Sequence, residues 1–368
     1  MPSRTTLAVT VAVLAAAALG LTACSTGTTA ASSSSSTPAA ASGSLISKER
    51  CAENKAAGKI TFLTGYAYQA SASILNVVAA KELGYFDALC LDVDIKPGTG
   101  DTGENTQLLA SGRVTFTGVG EQNLIQAQNN GIDILGISTL SDVGLEILMT
   151  DTDVTDLKQL DGTTLGQKGD LPPAVSAMLT KAGADVSSMK QVVVGYDPTI
   201  LPRKQVKSLT GFISNEPNLL EEAGFDVKVW RPFDYGIPSS LGTVAVNPKF
   251  AKANPTAVED FMRASIKAIA DCDDDTKKCV DWASTLSGEG YDVAHNIKVW
   301  GTESKIISDN QPADRPLGLV DTKNVDALST FLLDTKQITK APADVQSYFD
   351  DSFIKNIYNG TTLIWPAP

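Results

Sequence analysis

Carboxylates and tyrosines stand where apolar runs of this chain end. Asp101 follows the run LDVDIK, Glu121 follows VTFTGV, and Glu216 follows a short run at Gly211–Ser214. Tyr66 and Tyr68 follow KITFLT, and Tyr235 follows DVKVW. A carboxylate there can accept N–H groups from a bound molecule, and a tyrosine ring can stack on a flat one. Each residue also has a plain structural reading. Asp101 or its neighbour Thr102 can cap a helix, a carboxylate such as Glu121 is favoured at a helix N-terminus, and the tyrosines can fill an interface. In "SNEP" Asn215 is a good cap residue, with Pro217 in the first helical turn. The Gly-rich segment Pro97–Glu104, with Thr99 and Asp101, can present backbone N–H groups, but it lacks the Lys-Ser/Thr of a nucleotide loop.

Parts for covalent or metal chemistry are missing. The chain has one histidine, His295, read as a surface or packing residue, and no close C-x-x-C pair. No catalytic residue, metal site or cofactor is therefore assigned, and binding without catalysis is expected.

The elements that must position these residues alternate in type. Strands are predicted at 59–64, 91–96, 114–119, 132–138, 145–149, 164–167, 191–195, 226–230 and 242–246. Helices are predicted between them, at 71–85, 104–111, 121–130, 173–182 and 217–223, most closed by a glycine. This βαβ order predicts an α/β protein with parallel sheets covered by helices. In open α/β sheets ligands sit beyond the carboxyl ends of strands, where the residues above fall. The segment 151–238 carries its own strands and reads as a second domain inserted into the first. After Val246 the chain turns helical, at 255–270, 277–286, 292–299 and 324–335, with Asn254 and Pro255 opening the first of these.

The ends and the composition bound the setting. Residues 1–23 hold one charge, Arg4, then an apolar run, the plan of an export signal. The end Leu21-Thr22-Ala23-Cys24 has the form of a lipobox, with Cys24 as the lipidated residue. Ser25–Ser44 has no charge and is too polar for a core, so 24–57 reads as a lipid-anchored tether. Cys51, Cys90, Cys272 and Cys279 remain, an even number in an exported chain. Three pairings are possible; Cys51–Cys90 and Cys272–Cys279 are expected. The formal charge is -12 over 368 residues, and cleavage before Cys24, which removes Arg4 and no acid, makes it -13. An acidic chain without a basic run argues against a nucleic-acid partner.

Several stretches together resemble one family, the solute-binding proteins of ABC importers that take nitrate, sulfonates, taurine and thiamine pyrimidine precursors. They are "AAKELGYFDALCLDVDIKPG" (79–98), "LLASGRVTFTGVGEQNLIQAQNNGIDILGI" (108–137), "DLKQLDGTTLG" (156–166), "GFISNEPNLLEEAG" (211–224) and "DYGIPSSLGTVAVNPKFAKANPTAVEDFMRA" (234–264). The resemblance implies a type II periplasmic-binding fold, two α/β lobes with the ligand between them. Its parts would be lobe 1 at 58–149, an inserted lobe 2 at 150–240, and lobe 1 again with a helical tail at 241–368. It also implies delivery of a solute to a permease and ATPase complex, without chemistry. The lipid and tether place the chain at the outer face of the bacterial cytoplasmic membrane, and a monomer is expected. Glu216 and Tyr235 carry over to the pocket from the family; Tyr66, Tyr68, Thr99, Asp101, Glu121 and Asn215 are placed at the cleft. A eukaryotic branch of the fold builds the pyrimidine with iron and a cysteine-rich motif, which this chain lacks. A sensor role remains an alternative.

Those acids shape the expected ligand. At 4 Å and an effective dielectric of ~20, each carboxylate beside an anion costs about 4 kcal/mol. Arg203 and Lys204 are read as lying on a solvated turn. A flat, nitrogen-rich solute, such as a thiamine pyrimidine precursor, is therefore expected ahead of a sulfonate, nitrate, flavin or small aromatic acid.

Overall fold

Two five-stranded sheets organise the chain, which is described over residues 44–368 by a computed structural model. The export signal and Cys24 lie outside the described residues. The strands are β1 (Lys59–Leu63), β2 (Asp92–Lys96), β3 (Phe116–Val119), β4 (Leu135–Ser138), β5 (Glu146–Thr150), β6 (Thr164–Gln167), β7 (Lys190–Val193), β8 (Ser208–Phe212), β9 (Lys228–Trp230) and β10 (Thr243–Val246). The first sheet runs β2-β1-β3-β10-β4 and the second β7-β6-β8-β5-β9.

Both sheets are mixed, which corrects the expectation of parallel sheets. In the first, β10 runs antiparallel to β3 and β4; in the second, β5 runs antiparallel to β8 and β9. These two strands are the first in their sheets after the chain crosses over, so each enters from the edge where its neighbours end. A second correction concerns the crossing itself. The strand at 146–150 belongs to the second sheet, so the chain crosses before it, near Leu140–Leu145, and returns near Pro238–Gly242. The two crossings lie side by side: Leu140 N–H donates to Leu241 O at 3.0 Å and Leu241 N–H to Ser141 O at 2.8 Å.

Helices cover the sheets. They are α1 (Lys48–Ala56), α2 (Ala72–Glu82), α3 (Tyr85–Ala88), α4 (Thr102–Ala110), α5 (Glu121–Asn129), α6 (Pro173–Lys181), α7 (Glu216–Glu222), α8 (Pro248–Ala253), α9 (Pro255–Asp274), α10 (Thr276–Ser287), α11 (Val293–Asn310), α12 (Thr322–Asp334) and α13 (Ser352–Asn356). Helix α9 anchors the first sheet. Its Phe261 stacks on Phe116 with ring centres 4.2 Å apart and on Phe86 at 5.2 Å. Asn254 does not cap α9; its side chain instead donates to Phe250 O at 3.2 Å.

Within 24–57, the range read as a tether, residues 48–56 form helix α1. Arg50 pairs with Asp260 and Glu259 on α9, Asn54 donates to Asp260 at 2.7 Å, and Cys51 is bonded to Cys90. The second disulfide joins Cys272 on α9 to Cys279 on α10.

Helix α11 spans both halves. It packs on α2 and α10 and also reaches α7. Its buried Glu303 accepts hydrogen bonds from Ser71 Oγ and Ala72 N–H at the start of α2 and from Ser214 Oγ before α7, each at 2.8 Å. His295, expected at the surface or in packing, is buried, with Nε2 2.9 Å from Asn215 Oδ1.

Candidate functional site

A cavity of about 270 Å³ lies between the strand ends of the two sheets. The first sheet contributes Gly65, Tyr66 and Gln69 after β1 and Gly118–Gly120 at the end of β3. Ser71 and Ser73 at the start of α2, Thr102 of α4 and Gln122 of α5 complete that wall. The second sheet contributes Glu146, Ala174 at the start of α6, Phe212, and Arg231–Phe233 after β9. The crossings add Gly144, Leu145 and Ser239–Gly242. Four helices thus begin at the cavity, and helix starts carry unpaired N–H groups and partial positive charge.

Three aromatic rings on this lining remain open to solvent: Tyr66, Phe212 and Phe233, at 55%, 49% and 41% exposure. The glycines of the 97–103 loop make room for the first. A Cβ on Gly100, where φ is +89°, would lie 2.8 Å from the Tyr66 ring. One on Gly98 would collide with Thr64 O. Arg231 stands over Phe233, its guanidinium carbon 5.7 Å from the ring centre. Burial pushes the Glu146 carboxyl above the ordinary carboxylate range.

The structure distributes the sequence-derived candidates over several positions. Tyr66 lines the cavity and bridges to Thr99, whose hydroxyl turns to Glu104 at 3.4 Å. Asp101 caps α4 by accepting from Glu104 N–H at 2.9 Å. Tyr68 packs against the first-sheet core and donates to Ile95 O at 3.3 Å. Tyr235 packs against the core of the second sheet, on the short turn whose Pro232 and Phe233 face the cavity.

The carboxylates named in the sequence have protein partners. Glu121 is fully buried and accepts from Thr139 Oγ1 at 2.7 Å and Asn324 Nδ2 at 2.9 Å; burial pushes its carboxyl up to about 8. Glu216 is also fully buried. One of its oxygens pairs with Lys168 Nζ and the other accepts from Phe212 N–H at 2.7 Å. Asn215 occupies the cap position of α7 without a capping bond, its side chain being engaged by His295. Arg203 and Lys204 are exposed and pair with Asp197 and Asp151, away from the cavity.

Glu146, Arg231, Phe212 and Phe233 were not singled out in the sequence. Glu146 starts a strand, and looking only past strand ends skips it. Because β5 is antiparallel to β8, Glu146 sits directly opposite Phe212, at the edge where β8 and β9 finish. The strand before Glu216 was read as running to Ser214, two residues past its end at Phe212, which hid Phe212 in its interior. Arg231 and Phe233 flank Pro232, directly after β9, and were passed over for the tyrosine two residues further on.

The family model described as NMT1/THI5 like matches residues 71–277. The formylaminopyrimidine-binding protein of Halalkalibacterium halodurans is 26% identical over 196 residues, which span 51% of this chain and 59% of that protein. The match therefore covers less than two thirds of that relative. The periplasmic sulfonate-binding protein SsuA from Methylobacillus flagellatus superposes with a TM-score of 0.60 at 15% identity, over 81% of this chain and 92% of that one. The desulfurization enzyme DSZB superposes at 0.57 and 13% identity, over 81% and 98%. At these identities the likeness is one of fold, that of periplasmic binding proteins.

Proposed function

We propose a transport function for this chain, which belongs to the NMT1/THI5-like family: it is the extracytoplasmic solute-binding protein of an ABC importer. It captures a small, flat, nitrogen-rich solute of the pyrimidine-precursor class and passes it to a membrane permease and its ATPase. The carrying observation is the cavity between the two sheets, with the open rings of Tyr66, Phe212 and Phe233 beside Glu146. Open aromatic rings suit a flat heterocycle, and a carboxylate accepts from its amino group. The matched relative, a formylaminopyrimidine-binding protein, supports the same class.

The repulsion expected of an anion now rests on Glu146, because Asp101, Glu121 and Glu216 have their own partners. Arg231 and the four helix starts favour the second reading, a sulfonate or another oxyanion. Binding without turnover is part of the proposal, supported by the matched relative, whose name is that of a binding protein. Anchoring through a lipid on Cys24 is proposed from the sequence; no described helix is long and apolar enough to cross a membrane.

Mass spectrometry of whatever co-purifies with the exported protein tests this, with a thermal-shift panel of aminopyrimidines, flavins, sulfonates and nitrate. A ligand specific to the folded state raises the melting temperature by linkage. A shift with an aminopyrimidine is expected; shifts with none of the panel would count against the proposal.

A further inference from the structure

Glu146 and Arg231 are the two charged residues on the cavity lining. They stand on neighbouring strands of the second sheet: Glu146 opens β5, and Arg231 follows β9 one residue after Trp230, which pairs with Leu148. The two do not pair with each other. Nη2 of Arg231 is buried with no hydrogen-bond partner, and burial alone, with no compensating neighbour, acts on the Glu146 carboxyl. Other buried charges near the cleft are all engaged, Glu216 by Lys168 and Glu303 by two serines and a backbone N–H. A charged group buried without a protein partner is costly, and a ligand group that meets it offsets that cost.

We infer that Glu146 and Arg231 are the specificity pair of this site, and that its ligand is two-ended: an amino or amidine N–H edge meets Glu146, and an oxygen acceptor meets Arg231. The flat body between the two ends lies against Phe212 and Phe233, the residues that flank the pair. Arg231 stands over the Phe233 ring, and its planar guanidinium offers a fork of donors to an oxygen acceptor. This inference rests on the solute-binding reading and narrows it. A plain oxyanion satisfies only Arg231, and a plain amine only Glu146.

The test is calorimetric titration of wild type, Glu146→Gln and Arg231→Met with two matched sets of probes. The first set is an aminopyrimidine with a formamide arm, the same ring without the arm, and the same molecule without the ring amino group. The second is taurine, which has an amine and a sulfonate, beside ethanesulfonate, which has the sulfonate alone. In whichever set wild type binds, the two-ended probe is expected to bind tightest, by about 10- to 100-fold. Glu146→Gln should erase the advantage of the amino end, and Arg231→Met that of the oxygen end, each leaving the probe that lacks that end unaffected. Arg231→Lys, which retains the charge without the fork, should fall between wild type and Arg231→Met, and it serves if Arg231→Met does not fold.

Binding of taurine but of no pyrimidine would refute the flat-heterocycle reading and leave the pair standing. Pyrimidine binding at equal affinity in wild type and both variants would refute the pair and leave the heterocycle reading standing. Single-ended probes that match the two-ended one, or wild type that binds neither two-ended probe, would overturn the inference.

Discussion

Glu303 offers a prediction whose size follows from the hydrogen bonds around it. It is buried on α11 and joins the start of α2, on the side of the first sheet, to Ser214 on the side of the second. Replacing it with alanine leaves three buried donors, Ser71 Oγ, Ala72 N–H and Ser214 Oγ, without their acceptor. Each orphaned buried donor costs ~1–3 kcal/mol, and relief of the buried charge offsets part of the sum. A loss of about 3–5 kcal/mol is expected for Glu303→Ala. Glu303→Gln should cost less than about 1 kcal/mol, because the amide oxygen can still accept at α2 while its NH2 donates to Ser214 Oγ. Ser214→Ala removes one charge-assisted bond and should cost ~1.5–3 kcal/mol. The sign with pH also follows. Burial raises the Glu303 carboxyl above its ordinary value. Its contribution to stability is then fully present below the unfolded pKa and is lost as pH rises through the folded one. Glu303→Gln should flatten that decline. Urea unfolding at several pH values reads both effects, and native-state exchange of the Ala72 amide reads the local one. If Glu303→Ala unfolds within 0.5 kcal/mol of wild type, roughly the scatter of neutral surface changes, α11 does not join the two halves in this way.

Three further outcomes are expected. Glu121, raised to about 8 by burial, should make the protein less stable as pH rises from the ordinary carboxylate range to that value. Glu121→Gln should abolish the trend in pH-dependent urea unfolding, matching wild type near pH 5 and exceeding it near pH 8. Glu216→Ala strips both Lys168 and the Phe212 N–H of their partner and should cost ~2–4 kcal/mol in urea unfolding, whereas an unchanged midpoint would mean that Lys168 finds water instead. Cys51→Ser with Cys90→Ser opens a loop of sequence separation 39 and should cost ~4 kcal/mol by the chain-entropy relation, read as a lowered melting temperature.

The fold was legible because strands, helices and closing glycines recur in fixed order, and each predicted strand and helix has a counterpart, although the helix predicted at 292–299 runs on to Asn310. Strand direction was not legible. Nothing in LEILM or GTVAV records that these strands enter their sheets from the opposite edge, and that direction is what brings Glu146 to the cavity. Asn215 and Glu216 show a different limit. A strand end followed by an acid looks the same whether the acid meets a ligand or folds back, and its partner Lys168 lies 48 residues away in sequence. Tyr66 reaches the cavity lining because its ring follows the first strand on a glycine-bearing loop, a purely local pattern.

Calorimetric titration of the formamide-bearing aminopyrimidine into the exported protein, beside its Phe212→Ala/Phe233→Ala variant, tests solute capture in this cavity most directly. The expected result is one saturable site per chain in wild type, weakened at least ~10-fold when the two open rings are removed, since each aromatic contact contributes ~0.5–1.5 kcal/mol beyond its buried area. Wild type that takes up neither this probe nor taurine, or a double variant that binds as tightly as wild type, would contradict it.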